Sequence, residues 1–87
     1  MNRSSGEGLT RKFWEQLLNL YDEFMVTGKR DEKMIEMLER ANLLQEGTRM
    51  GREILDSFPH LDFKTVDQLV RQGIRETIVN NLKAAPE

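Results

Sequence analysis

The chain has 87 residues, and its 13 basic and 15 acidic side chains leave a net charge of −2. This length allows a single domain with a thin core, and the near-neutral charge argues against a strongly basic nucleic-acid binder. Without cysteine and with a single histidine, the sequence excludes disulfides and thiolate metal sites, and neither a metal nor another cofactor is expected.

Residues 1–9 are mostly small and polar, and they are expected to form a flexible N-terminal arm. The first helix is expected from Thr10, which suits an N-cap, to Thr27, because Gly28 can end a helix. Its apolar residues fall into two adjacent rows with helical spacing, which makes the apolar face well over about 100° wide. Such a face is wide for a helix in so small a protein.

A second apolar pattern runs from Asp31, a good N-cap, to about Phe58, where Pro59 ends the helix. An unbroken helix of this length would extend about 40 Å, compared with about 25 Å for the first helix and about 30 Å for a third one. Two arrangements resolve this mismatch. Either the helix breaks at Gly47, with Thr48 as a new N-cap, or it stays whole and its excess apolar surface meets a second chain.

A third helix is expected from Asp62 or Thr65 onward, because the apolar residues that follow form one stripe. Residues 84–87 are expected to fray. The sequence therefore predicts a single all-α domain over residues 10–83. The predicted architecture is a three-helix antiparallel bundle with a long second helix, or four helices if that helix breaks near Gly47. Oligomerisation or a partner is expected to complete it.

Aromatic and methionine side chains crowd the first helix and the start of the second. A thin core has room for one apolar row from each helix, whereas this cluster supplies two. Core is the usual location of such residues, but aromatic residues and Met are also enriched at protein interfaces. Gly51 lies on the apolar face of the second predicted helix, where its lack of a side chain favours a close helix crossing. The predicted partner interface comprises Phe13, Trp14, Leu17, Tyr21, Phe24, Met25, Met34, Met37 and Gly51.

A polar stripe on the third helix is the alternative binding surface. It consists of Lys64, Gln68, Arg71 and Arg75, at i, i+4, i+7 and i+11. Such a stripe can lie on a phosphate backbone, and a break in the second helix would also allow a helix-turn-helix. Against this interpretation, Asp67 lies four residues before Arg71 and can pair with it. A solvated helix face explains the stripe more simply.

Residues suited to covalent catalysis are scarce. Ser57 and His60 are the nearest approach to a nucleophile and its base, but residues of one short turn rarely point at one another. No enzymatic activity and no small-molecule substrate are therefore expected.

These patterns predict a non-catalytic protein–protein interaction module, such as a small adaptor, a chaperone-like partner or a regulatory subunit. Its partner is expected to be another protein chain, in a homodimer or a heteromer. The alternative is a small DNA- or RNA-binding regulator that uses the polar stripe. No apolar run approaches the roughly 18 residues of a membrane span, so the chain is expected in the cytoplasm, or in the nucleus of a eukaryote.

Overall fold

Four α-helices make up the fold of residues 8–86, which are the residues that the computed structural model describes. They are α1 (Arg11–Thr27), α2 (Glu32–Arg40), α3 (Leu43–Ser57) and α4 (Phe63–Ala84). No strand occurs among the described residues, so the prediction of an all-α fold is confirmed. The predicted N-terminal arm falls mostly on residues 1–7, which lie outside the described residues, as does Glu87 of the predicted tail.

The ends of α1 lie where the sequence predicts them. The Oγ1 of Thr10 accepts a hydrogen bond from the backbone N–H of Phe13 at 3.2 Å, which satisfies one of the free donors of the first turn. At the other end, Gly28 adopts the left-handed conformation with φ 74°. Its N–H donates to the carbonyl of Phe24 at 2.7 Å, and glycine is the residue that takes this conformation without strain.

Two aspartates begin α2 and α4. The Oδ1 of Asp31 accepts from the N–H groups of Lys33, at 2.7 Å, and Met34, at 3.3 Å, as the sequence predicts. Of the two alternatives for the last helix, Asp62 is the N-cap, and it accepts from the N–H of Thr65 at 3.0 Å. The hydrogen bonds from Thr65 hold the pKa of the Asp62 carboxyl below its usual range, because they stabilise its charged form.

The chain turns between α2 and α3 at Ala41 and Asn42, so the predicted alternative of four helices is confirmed, whereas the continuous second helix and the break at Gly47 are wrong. The helix is not continuous, and it does not break at Gly47, which lies inside α3. Asn42 instead adopts the left-handed conformation with φ 62°, which asparagine enters more easily than most residues. A Cβ at Gly47 would lie 3.6 Å from Val70 and 3.7 Å from Ile74, so this position of α3 faces α4. The predicted count of three helices is therefore replaced by four.

Each helix packs on two others. α1 packs on α2 and α4, and α3 packs on the same two helices, whereas the backbones of α1 and α3, and those of α2 and α4, do not come close to each other among the described residues. The main core lies where α1, α2 and α4 meet the start of α3. Its buried members are Trp14, Leu17, Tyr21, Met34, Met37, Leu38, Ala41, Leu43, Ile74 and Ile78.

The end of α4 lies against the start of α1. Ala85, just beyond α4, packs against the core, and the carbonyl of Pro86 accepts a hydrogen bond from the N–H of Arg11 at 3.0 Å. That N–H belongs to the first turn of α1, where no helical partner exists for it. The two ends of the described chain therefore meet at one place.

Candidate functional site: an exposed apolar surface on α3 and α4

Most of the predicted partner interface lies inside the chain. Its buried members, each at most 4% exposed, are Trp14, Leu17, Tyr21, Met34 and Met37. The others are half-buried: Phe13, Phe24, Met25 and Gly51. These side chains are covered because of the way α1 packs. Because α1 packs on both α2 and α4, its wide apolar face has two neighbours within the same chain and does not need a second chain to cover it.

Arginines cover the two half-buried aromatic rings of α1. The guanidinium of Arg40 lies 5.2 Å from the ring centroid of Phe13, and that of Arg71 lies 4.7 Å from the centroid of Phe24. Both distances suit a cation–π contact. Phe13 also packs edge-on against Trp14, with 5.3 Å between centroids and an interplanar angle of 87°. Neither ring is an open surface for a partner.

The predicted polar stripe on α4 is largely paired within the chain. Nε of Arg71 lies 3.0 Å from the Asp67 carboxylate. Arg75 forms two hydrogen bonds to Asp22 of α1, from Nε at 2.7 Å and from Nη2 at 3.4 Å, and these bonds raise the pKa of Arg75. Lys64 is therefore the stripe's cation without an ion pair among the described residues. A phosphate backbone would have to compete with two carboxylates for the other cations.

The large apolar side chains that the fold leaves exposed concentrate on α3, on α4 and on the turn between them. Phe63, at the first turn of α4, is 85% exposed, and Phe58, just after α3, is 60% exposed. The set on these elements is Leu44, Leu55, Phe58, Phe63 and Leu69, and Val26 at the end of α1 is the exception. We call this set the α3–α4 apolar surface.

This surface exists because α3 is poorly covered. Leu43 is the buried residue of α3, whereas three residues are buried in each of the other helices. Phe63 is not among the predicted interface residues, although it precedes Val66 by three residues and Val70 by seven. That spacing extends the apolar stripe of α4 one turn toward its N-terminus, and it is the signal that could have identified the surface.

A groove of about 650 Å³ runs between α3 and α4. Its lining includes Leu44, Gly47, Gly51, Phe63, Val66 and Val70, and we call it the α3–α4 groove. The two glycines lie four residues apart in one helix, so they share a face and form part of the floor. Gly51, placed by the sequence at a close helix crossing, thus lies beside Val70 of the same chain and borders the groove.

The charges beside the groove are mainly positive. Arg30, Lys64 and Asp67 border it, and Asp67 is neutralised by Arg71 at 3.0 Å. Arg30 and Lys64 have no ion pair among residues 8–86. The groove therefore combines an apolar lining with two cations that remain available to a ligand.

A smaller cavity of about 170 Å³ continues the groove toward the junction of the helices, where Tyr21 lines it. Tyr21 is 4% exposed, and burial raises its pKa to about 12, because the phenolate would lose its hydration. The neutral phenol is therefore the form present near neutral pH.

The described residues show no arrangement suited to covalent catalysis or to metal binding. Ser57 and His60 are exposed, and no hydrogen bond joins them. Over residues 8–86, no group of three or more His, Asp or Glu side chains is placed to hold a metal ion. In the same range, no helix has both the length and the apolar character needed to cross a membrane.

Comparison of the chain with known protein families, with curated proteins and with solved structures finds no match. The residues and their geometry are therefore the basis for any functional conclusion.

Proposed function

We propose that this protein is a non-catalytic protein-binding domain and that it binds another protein through the α3–α4 apolar surface. One observation carries the proposal: the exposed large apolar side chains concentrate on two adjacent helices and the turn between them, with Val26 as the exception. Scattered single apolar residues are normal on a surface, whereas a cluster of them is typical of an interaction site.

The energetics of burial support this assignment. Fully burying an exposed Phe side chain contributes roughly 1.5–3 kcal/mol. Phe58 and Phe63, at 60% and 85% exposed, flank the turn between α3 and α4, where Phe63 borders the α3–α4 groove and Phe58 borders a second concavity that Leu69 also lines. Aromatic side chains in such positions often carry much of the free energy of binding.

The alternative, a nucleic-acid-binding regulator that uses the polar stripe, has weaker support. Two of its cations are held by Asp67 and Asp22. The side chains involved are about half exposed or less, so a phosphate could displace the carboxylates, but only by giving up those ion pairs. Protein binding is therefore the function that the geometry supports best.

The test uses the double variant Phe58→Ser/Phe63→Ser and the control variant Val26→Ser, which removes an equally exposed apolar side chain on α1. Each protein is used for affinity capture from cells of its source, with quantitative mass spectrometry and a circular-dichroism melt to check folding. We expect proteins enriched by the wild type and by Val26→Ser to fall at least about tenfold with the double variant.

Equal capture by the double variant would place the binding surface elsewhere. If the wild type enriches no protein over an empty matrix and remains monomeric by sedimentation, the proposal of a protein-binding domain is wrong.

A further inference from the structure

The glycines of α3 and α4 differ in how much the chain's own packing needs them. A Cβ at Gly73 of α4 would lie 2.9 Å from Sδ of Met50, so this close approach requires glycine or a movement of Met50. A Cβ at Gly47 or at Gly51 would lie 3.6 Å from the side chain of Val70, which is an ordinary van der Waals distance. The packing of α3 against α4 therefore requires glycine at Gly73, but it does not require glycine at Gly47 or at Gly51.

Glycine is among the poorest residues for the interior of a helix. Gly47 and Gly51 both lie inside α3, where alanine would fit and would favour the helix. Both glycines line the α3–α4 groove, where a Cβ at Gly47 would contact Val70 and Ile74 of α4 and a Cβ at Gly51 would contact Val70. Because neither position carries a side chain, the backbone of α3 stays accessible to an occupant of the groove beside these contacts.

From this groove we infer a specific occupant, and the inference rests on the proposed function: an amphipathic α-helix of the partner, with carboxylates beside its apolar stripe. An extended peptide would gain no backbone hydrogen bonds from the groove, because the backbone groups of α3 and α4 are already used in their helices. A helix satisfies its backbone internally and can present apolar side chains at i, i+3 or i+4, and i+7.

The length of the groove suits such a helix. From Leu44 to Gly51, the part of α3 that lines the groove rises about 10 Å at 1.5 Å per residue, which corresponds to about two helical turns. Two turns of a bound helix present apolar anchors at i, i+3 or i+4, and i+7 on one face. Phe63 at the other wall is 85% exposed, so it can close over the bound apolar face.

The positively charged residues at the rim of the α3–α4 groove indicate the charge of the occupant. Arg30 and Lys64 border the groove without an ion pair, whereas Asp67 is occupied by Arg71 at 3.0 Å. A helix with Asp or Glu at its flanks places carboxylates against both cations. A basic helix would meet these cations with like charge, which disfavours it.

The test selects ligands for the whole purified protein from a displayed library of 16-residue peptides, randomised within a helix-forming frame. Affinities of the selected peptides are then measured by fluorescence anisotropy. We expect the enriched sequences to carry large apolar residues at i, i+4 and i+7 and an excess of Asp and Glu. No enrichment, or enrichment without this apolar spacing or acidic excess, would overturn the inference.

Two variants test the position of the bound peptides. Gly51→Leu fills the groove, and its Cβ fits beside Val70. Arg30→Glu/Lys64→Glu reverses the rim, while Lys33→Glu/Lys83→Glu makes the same charge change at exposed positions of α2 and α4 away from the groove. Melting curves of all variants check that each one folds.

We expect Gly51→Leu and the rim reversal each to weaken binding at least about tenfold, with no change for the control. Equal binding by Gly51→Leu would place the peptides outside the groove and overturn the inference.

Failure of this inference and failure of the proposed function have different signatures. If no acidic helix binds but the source proteins are still lost with Phe58→Ser/Phe63→Ser, the protein-binding function stands and the helical occupant is wrong. A dimer in sedimentation that Gly51→Leu abolishes would assign the groove to a second copy of this chain, and it would also overturn the inference.

Discussion

Tyr21 is the residue whose acid–base chemistry the fold changes most. Burial raises its pKa from 10.0 to about 12, whereas in the unfolded chain the phenol ionises near its ordinary value. Between these two values the unfolded state loses a proton that the folded state keeps. Stability from this group is therefore fully present below pH 10 and is lost as the pH rises toward 12.

We expect the free energy of unfolding to fall by about 3 kcal/mol from this residue alone as the pH rises through that window, and Tyr21→Phe to remove this part of the dependence. Urea unfolding of both proteins at pH 8 and pH 11 measures the first half of this loss, about 1.4 kcal/mol. Lysines also titrate in this range, so the relevant quantity is the difference between the two proteins. Equal losses in both would show that Tyr21 does not cause the effect.

At the scale of the helix, Asn42 determines where α2 ends and α3 begins. Its φ of 62° is strained for a β-branched residue and relaxed for glycine. We expect Asn42→Val to lower the free energy of unfolding by about 1–2 kcal/mol and Asn42→Gly to leave it nearly unchanged. Denaturant melts of both variants are the measurement.

The matched control for this pair is Asn19→Val, which makes the same substitution at an exposed position inside α1. Helix propensity alone predicts a loss below about 0.5 kcal/mol there. If Asn42→Val and Asn19→Val have the same effect, the left-handed conformation of Asn42 does not govern the turn.

The α3 helix is expected to open more readily than α1. Both helices pack on α2 and α4, but Leu43 is the buried residue of α3, whereas α1 buries Trp14, Leu17 and Tyr21. Because few buried contacts hold α3, its amide protons should exchange with deuterium through local opening, well before the global unfolding that exposes α1. Residue-resolved hydrogen exchange by NMR tests this. Equal protection of the two helices would contradict it.

The ends of the helices could be predicted from the sequence, whereas the turn at Asn42 could not. Thr10, Asp31 and Asp62 act as N-caps through bonds to N–H groups two or three residues away, so local sequence suffices to find them. Around Asn42 the apolar spacing continues without interruption, and the break depends on how α3 packs against α4. Local sequence favours Gly47 as the point where the helix breaks. Val70, the residue that a Cβ at Gly47 would meet, lies 23 residues further along the chain, so local sequence does not reveal this proximity.

At the scale of the whole molecule, the packing of the helices decides which apolar side chains stay exposed. The sequence predicts the wide apolar face of α1, but one helix does not reveal how many neighbours will cover it. Two helices of the same chain do so. The surface that remains exposed is at α3 and α4, where Phe63 extends an apolar stripe beyond the core.

The burial of Trp14 has a consequence for the stability of the whole molecule. The Trp14 side chain is 1% exposed in the core, so Trp14→Ala should cost about 3–5 kcal/mol. This approaches the lower end of the total stability of a domain, about 5–15 kcal/mol, where a chain with so thin a core is expected to lie, so we expect loss of most helical circular dichroism at 37 °C. Val26→Ala, at an 86% exposed position, is the control and should change stability by less than about 0.5 kcal/mol. A helical Trp14→Ala protein that has lost only partner binding would contradict the core assignment.

The hydrogen bond from Arg11 to the Pro86 carbonyl, 3.0 Å long, makes the path of the chain nearly circular. A short linker could join these two points without moving any helix, and new ends could then be opened in the exposed turn at Gly28 and Lys29. For the same reason the four helices could be inserted into a surface loop of a host protein, entering and leaving at a single place. The α3–α4 surface would then face outward from the host, because it lies away from that junction.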